Sequence, residues 1–85
     1  MDKKFLNKVV NQIVSETEID YGMGEIQFPF SFNTSSLLAF TIDSFISRQI
    51  FSFHCKNVYG LNDDEIVYVW EEYKQIIKDK IENNG

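Results

Sequence analysis

The segment Tyr59–Glu65, with the sequence YGLNDDE, restricts the fold of this chain more than any other. Gly60 has the residue type and position of a helix stop, because glycine enters the left-handed conformation without steric cost. Leu61 is expected to fold back as the apolar contact that accompanies such caps. Asn62 then predicts the N-cap of a new helix, and Glu65, three residues later, completes a capping box. The segment therefore predicts a helix, a tight corner and a second helix.

Apolar residues at helical spacing predict the helix after the corner and another helix at the start of the chain. We expect the first helix over Asp2 to about Ser15 and the last over Asp63 to about Glu82. Trp70 is expected at the centre of the core. The two apolar stripes consist of Phe5, Leu6, Val9, Val10, Ile13 and Val14, and of Ile66, Val69, Trp70, Tyr73, Ile76, Ile77 and Ile81.

After Ser15 the apolar spacing changes from helical to alternating, which is typical of strands. Gly22-Met23-Gly24 lies between two such runs and predicts a β-hairpin with a three-residue loop. Pro29 cannot donate a ladder hydrogen bond, so we expect the second strand to be an edge strand or to end near Phe28. The alternating residues are Ile19, Tyr21, Ile26, Phe28, Phe30 and Phe32.

The middle of the chain, up to Tyr59, is predicted as a helix that begins at Thr34 or Ser35, within a cluster of turn and cap formers. This prediction depends on Gly60, because a helix stop needs a helix before it. A strand over Ile50 to Cys55 is the alternative, since apolar and polar residues alternate there. On the predicted helix, Leu38, Ile42, Phe45, Ile46 and Phe53 share one face, whereas Phe40 and Phe51 point away from it.

These elements predict a mainly α fold, a small three-helix domain with a short β-hairpin or extended loop between the first and second helices. An α+β fold is the alternative. The chain has 85 residues, without an internal repeat or a linker, so we expect residues 1–85 to form a single small domain. A hydrophobic fraction of 44% is enough to build a core.

The formal net charge of −5 argues against a nucleic-acid partner and against docking on an anionic membrane. A single cysteine, no leader-like segment and no run of about 20 apolar residues predict a cytoplasmic protein without membrane association. Ten isoleucines, seven asparagines and one alanine are typical of an AT-rich coding sequence. Together with small size and acidity, this composition resembles the accessory proteins of phages, whose location would be the virion or the host cytoplasm.

The chain offers few candidate catalytic groups. His54 and Cys55 are its only histidine and cysteine, but consecutive side chains diverge by about 100° on a helix and face opposite sides of a strand. Direct proton transfer between them is therefore not expected, and no zinc-ligand spacing is present. We expect no catalytic residue, no cofactor and no metal. Two functions remain open as alternatives to a role in protein binding. One is an acidic regulator that imitates a nucleic-acid surface. The other is a small enzyme that uses Cys55 or a carboxylate pair from Asp63, Asp64, Glu65, Glu71 and Glu72.

Seven of the eight phenylalanines lie between Phe28 and Phe53. That is more large apolar side chains than one buried face per helix can hold. Large apolar area outside a small core marks a contact surface, usually for protein. The sequence therefore predicts a non-catalytic protein-interaction module, a small accessory or structural subunit of a larger assembly. We expect a protein partner or a second copy of the chain, with a dimer as the first expectation. The candidate interface residues are Phe28, Phe30, Phe32, Phe40, Phe51 and Phe53.

Overall fold

The computed structural model of the protein describes residues 2–31, 34–37 and 45–83. Within these ranges the fold is mainly α with a small antiparallel sheet, which confirms the predicted fold class. In chain order the elements are α1 (Lys3–Glu16), β1 (Glu18–Asp20), β2 (Glu25–Gln27), β3 (Thr34–Ser36), α2 (Phe45–His54), a π-helical turn (Cys55–Tyr59) and α3 (Asp63–Asn83).

Helix α1 begins one residue later and ends one residue later than the apolar stripe predicts. Asp2 is its N-cap, and the Oδ1 atom of this residue accepts the backbone N–H of Phe5 at 3.2 Å. At the other end Thr17 turns to extended backbone and donates its N–H to the carbonyl of Val14 at 3.1 Å. The buried residues of α1 belong to the predicted stripe, and they are Leu6, Val9, Val10 and Ile13.

The predicted hairpin is present, with shorter strands and a longer loop. Asp20 pairs with Glu25, so the connection is the four-residue segment 21–24 rather than three residues. Gly24 takes a positive φ of 68°, which glycine adopts without strain. The Oδ1 atom of Asp20 accepts the N–H of Met23 at 3.1 Å and closes the turn.

Strand β2 ends at Gln27, as expected from Pro29 two residues later. The edge-strand alternative is wrong, because β3 pairs with β2 on the side opposite β1 and makes β2 the central strand. The register aligns Ile26 with Ile19 on one neighbour and with Ser35 on the other. Ile26 is fully buried, so this face of the sheet rests on the core.

The prediction that a helix begins at Thr34 or Ser35 is wrong. Thr34–Ser36 form β3, and the Leu37 N–H continues this pairing by donating to the carbonyl of Gly24 at 3.0 Å. Serine and threonine favour helix caps only when their backbone has no better partner. Here the open edge of β2 supplies that partner, so strand pairing overrides the local capping preference.

Helix α2 and the corner after it follow the helical prediction, and the strand alternative over Ile50 to Cys55 is wrong. Gly60 has φ 66° and ψ 30°, the left-handed conformation predicted for a helix stop. The backbone N–H groups of Gly60 and Leu61 both donate to the carbonyl of Cys55, the latter at 3.3 Å. Leu61 folds back and is buried, as expected. The widening of the last turn into a π-helix was not predicted.

The capping box at the start of α3 is formed in both directions. The Glu65 N–H donates to Oδ1 of Asn62 at 2.9 Å, and the Asn62 N–H donates to Oε1 of Glu65, also at 2.9 Å. Asp63 and Asp64 add negative charge at the positive end of the helix dipole. Local interactions at its first turn therefore fix where α3 begins.

One continuous core joins the sheet to the three helices, with α1 packed along α3. Trp70 is buried, as predicted, together with Tyr73. The Thr17 hydroxyl donates to the carbonyl of Ile13 at 2.8 Å, so the Tyr73 hydroxyl donates to Thr17 Oγ1, also at 2.8 Å. The buried set is Leu6, Val9, Val10, Ile13, Ile26, Phe28, Phe51, Cys55, Leu61, Ile66, Val69, Trp70, Tyr73 and Ile77.

The left-handed corner makes a testable prediction. Gly60→Ala should lower the free energy of unfolding by about 1–2 kcal/mol, because alanine is strained in this conformation. No atom lies within 4 Å of the position that the new Cβ would take, so a clash does not contribute. The matched control is Gly22→Ala in the hairpin, where φ is not positive and stability should be unchanged or slightly raised. Equal urea midpoints for Gly60→Ala and the wild type would contradict the role of the corner.

Candidate functional site

The rotation of α2 about its axis is set by Phe51, whose side chain is 0% exposed. Its ring packs against Trp70 at a centroid distance of 4.9 Å and against Tyr73 at 5.4 Å. Aromatic pairs at such distances add attraction beyond the area they bury. The expectation that Phe51 points away from the inner face of α2 is therefore wrong.

Phe28 and Phe30, which follow β2, extend this aromatic cluster. Phe28 is buried and stacks on Phe30 with a centroid distance of 4.8 Å. Phe30 is half-buried and meets the ring of Phe51 edge-on at 5.3 Å. Phe28 and Phe51 therefore belong to the core, and Phe30 lies where the core reaches the surface. The other two candidates before α2, Phe32 and Phe40, lie outside the described residues.

Phe53 is the candidate interface residue that the structure places in solvent, with 72% of its side chain exposed. Residues two positions apart on a helix are about 200° apart, so a helix that buries Phe51 turns Phe53 outward. The expectation that Phe53 lies on the inner face of α2 is wrong for the same reason. Ile50, 37% exposed, and Val58, 59% exposed, are further apolar residues on this side of the segment.

A shallow groove of about 280 Å³ runs beside Phe53. We call it the Phe53 groove. One wall comes from the segment after β2, and the other comes from α2 and the π-helical turn. Its apolar and aromatic lining residues are Pro29, Phe30, Ile50, Phe53, His54 and Val58.

The π-helical turn brings Val58 into this groove. Val58 is seven residues after Phe51, and in a continuous α-helix that spacing would place both side chains on the buried face. A π-helix closes i→i+5 bonds and needs more residues per turn, so each later side chain lags behind its α-helical position. Tyr59 therefore packs against the core, while Val58 faces solvent. A pattern search based on α-helical spacing misses Val58.

His54 forms part of the groove wall through its ring. The imidazole lies 6.1 Å from the ring of Phe30 and 6.0 Å from the ring of Tyr59. Its Nε2 atom is shielded from solvent and has no hydrogen-bond partner. Burial lowers the pKa of His54 below its ordinary value of 6.5, and the carboxylate of Glu16 opposes this shift. The neutral ring is therefore favoured, and it acts as an apolar wall.

Cys55 lies in the core, and two of the carboxylates at the corner have partners within the chain. Cys55 is fully buried, and burial raises the pKa of its thiol to about 12. Glu65 is engaged in the capping box, and Asp63 forms an ion pair with Lys56 at 2.9 Å. Among the described residues, no group of three or more His, Cys, Asp or Glu side chains is placed to hold a metal ion.

A second depression, of about 460 Å³, is also lined by Phe53, and its other lining residues are polar or basic. It is lined by Arg48, Gln49, Ser52, Phe53 and Lys56. Arg48, Ser52 and Lys56 follow one another at intervals of four, so they form a ridge along the helix. Phe53 therefore separates an apolar groove from a ridge that carries two basic residues.

The outer face of the sheet has a different character. Glu18, Asp20 and Glu25 are exposed there, around a depression of about 540 Å³ that Gln27 and Thr34 also line. These side chains alternate with Ile19 and Ile26, which point toward the core. This face carries solvated carboxylates, in keeping with the acidity of the chain.

In comparisons with protein-family models, curated proteins and solved structures, nothing matches this chain. The side chains themselves are therefore the basis for a functional proposal. In the part of the chain that the structure describes, no helix has the length and apolar character needed to cross a membrane.

The buried thiol gives a direct test of the enzyme alternative. Cys55 in the native protein should react with a disulfide reagent such as Ellman's reagent many times more slowly than in the urea-unfolded chain, because only the thiolate attacks and burial disfavours it. Absorbance of the released thiolate follows both reactions. A native rate equal to or above the unfolded rate would point to an activated thiol and would favour an enzyme.

Proposed function

We propose that the protein is a non-catalytic interaction module that docks on another protein through the Phe53 groove. In this proposal it serves as a small accessory or structural subunit of a larger assembly. The observation that carries the proposal is the 72% exposure of Phe53 beside an apolar groove. Aromatic residues next to such grooves are the usual anchors of protein interfaces.

Three of the exposed apolar residues form one patch, while the others lie outside it. Single exposed apolar side chains are common on protein surfaces and need no explanation. Ile50, Phe53 and Val58 instead line one groove together with Phe30. Burying a phenylalanine side chain contributes about 1.5–3 kcal/mol, which this chain forgoes at Phe53. A partner that covers the groove would recover that contribution.

The patch is also held on a rigid element. The side of α2 opposite Phe53 is fixed by the contact of Phe51 with Trp70 and Tyr73. The other wall is fixed by the stacking of Phe30 on Phe28. A contact surface that is already ordered loses little conformational entropy on binding, and this favours affinity.

The alternative of a small enzyme has weaker support. Its thiol candidate, Cys55, is fully buried and has a raised pKa, whereas a nucleophilic cysteine needs a lowered pKa and access to substrate. Of the carboxylates near the corner, Glu65 belongs to the capping box and Asp63 pairs with Lys56. We therefore favour a role in binding over a role in catalysis.

The proposal predicts that Phe53 dominates the exposed apolar surface. The wild-type protein should increase the fluorescence of an anilinonaphthalene sulfonate dye, and Phe53→Ser should remove most of this increase because the groove loses its anchor. The circular dichroism spectrum of the variant should match that of the wild type. The matched control is Phe5→Ser on α1, where a phenylalanine that is 43% exposed lies outside the groove.

The control variant should retain most of the dye signal. Light scattering coupled to size exclusion should be measured on the same samples, since a complex of copies that Phe53→Ser dissociates is also an interaction through this groove. A strictly monomeric wild type that binds no dye would contradict the proposed function.

A further inference from the structure

We propose that the partner of the Phe53 groove is an acidic segment of another protein, with an apolar side chain that enters the groove and carboxylates beside it. This inference rests on the proposed function and specifies the chemistry of the partner.

The segment that carries Phe53 has a positive net charge, unlike the chain as a whole. Residues 45–62 contain Arg48, His54 and Lys56 but no aspartate or glutamate. The whole chain nevertheless has a formal net charge of −5. The exposed Phe53 therefore lies in a basic segment of an otherwise acidic chain. Complementary charge steers a partner and fixes its orientation.

Arg48 is the strongest feature of this basic surface. No described carboxylate forms an ion pair with it, and its Nε atom is shielded from solvent without a hydrogen bond. Lys56 pairs with Asp63 at 2.9 Å, and both side chains are exposed, so this pair is weak and easily rearranged. Guanidinium groups bind carboxylates with two parallel hydrogen bonds, which makes a carboxylate the fitting partner for Arg48.

The arrangement along α2 fits an amphipathic segment. Phe53 lies between the apolar groove and the ridge of Arg48, Ser52 and Lys56. A segment that inserts an apolar side chain beside Phe53 places its neighbouring residues over that ridge. Binding of an amphipathic segment to a groove commonly combines an apolar anchor with flanking charge. Here the flanking charge that matches is negative.

A second copy of the chain fits this surface less well. Two copies that meet through their Phe53 grooves bring the Arg48 and Lys56 of one chain toward those of the other. Like charges that face each other across an interface oppose binding. Each copy also has a formal net charge of −5, which adds repulsion at low ionic strength. An acidic segment of a different protein avoids the repulsion between two sets of Arg48 and Lys56.

Selection from a displayed library of random peptides tests the inference with the full-length protein. Peptides should be selected on the wild type after depletion on Phe53→Ser, so that only those dependent on Phe53 remain. The expected peptides carry one or two large apolar residues next to aspartate or glutamate. A synthetic copy of the most enriched peptide should bind the wild type in a fluorescence anisotropy titration and bind more weakly as salt is raised.

Charge reversal near the groove and away from it then separates a specific contact from net charge. Arg48→Glu should weaken binding of that peptide about tenfold or more, because a carboxylate then faces the carboxylates of the peptide. The matched control is Lys78→Glu on α3, which changes the net charge equally at an exposed position outside both depressions. The control should change the affinity by no more than about twofold.

Several results would overturn the inference. Peptides that depend on Phe53 but are not enriched in acidic residues, or equal effects of the two charge reversals, would leave the proposed function and remove the acidic partner. A dimer that Phe53→Ser dissociates would make a second copy the occupant of the groove. That result would also leave the proposed function and remove the acidic partner. A library that yields no peptide dependent on Phe53 would overturn the acidic segment, while dye binding and light scattering decide the proposed function separately.

Discussion

The structure depends on the contact of Phe51 with Trp70 and Tyr73 more than on any other interaction. These three rings join α2 to α3, and Phe30 packs against two of them from the segment after β2. The contact fixes how α2 is rotated. Because side chains follow one another by about 100° on a helix, burial of Phe51 turns Phe53 toward solvent. The burial of Phe51 therefore determines both the core and the proposed contact surface.

The corner at Gly60 has a similar double effect. Its left-handed backbone and the capping box of Asn62 and Glu65 set where α3 begins. The π-helical turn before it lets Leu61 fold back onto the core and moves Val58 from the buried face to the groove. Departures from regular geometry at an element's end often accompany functional surfaces, and here the departure enlarges the apolar patch.

Local signals allowed α1, the hairpin, the corner and α3 to be predicted, because capping, turn and periodicity signals all agreed there. The sequence could not reveal β3, because serine is locally typical of a helix cap. Ser35 becomes part of a strand only through its pairing with Ile26, which is distant in sequence. It also could not decide which face of α2 is buried. Phe51 and Phe53 are the same residue type, so hydrophobicity alone does not distinguish them, and only the rings of α3 select one.

A comparison of unfolding free energies for Phe51→Ser and Phe53→Ser tests the central claim most directly. The two substitutions are chemically identical and lie two residues apart on one helix. Phe51→Ser should lose about 3–5 kcal/mol or fail to fold, since it removes a fully buried ring. Phe53→Ser should stay within about 0.5 kcal/mol of the wild type, as expected of an exposed position. Similar losses for both variants, or a larger loss for Phe53→Ser, would contradict the division of α2 into a core face and a contact face.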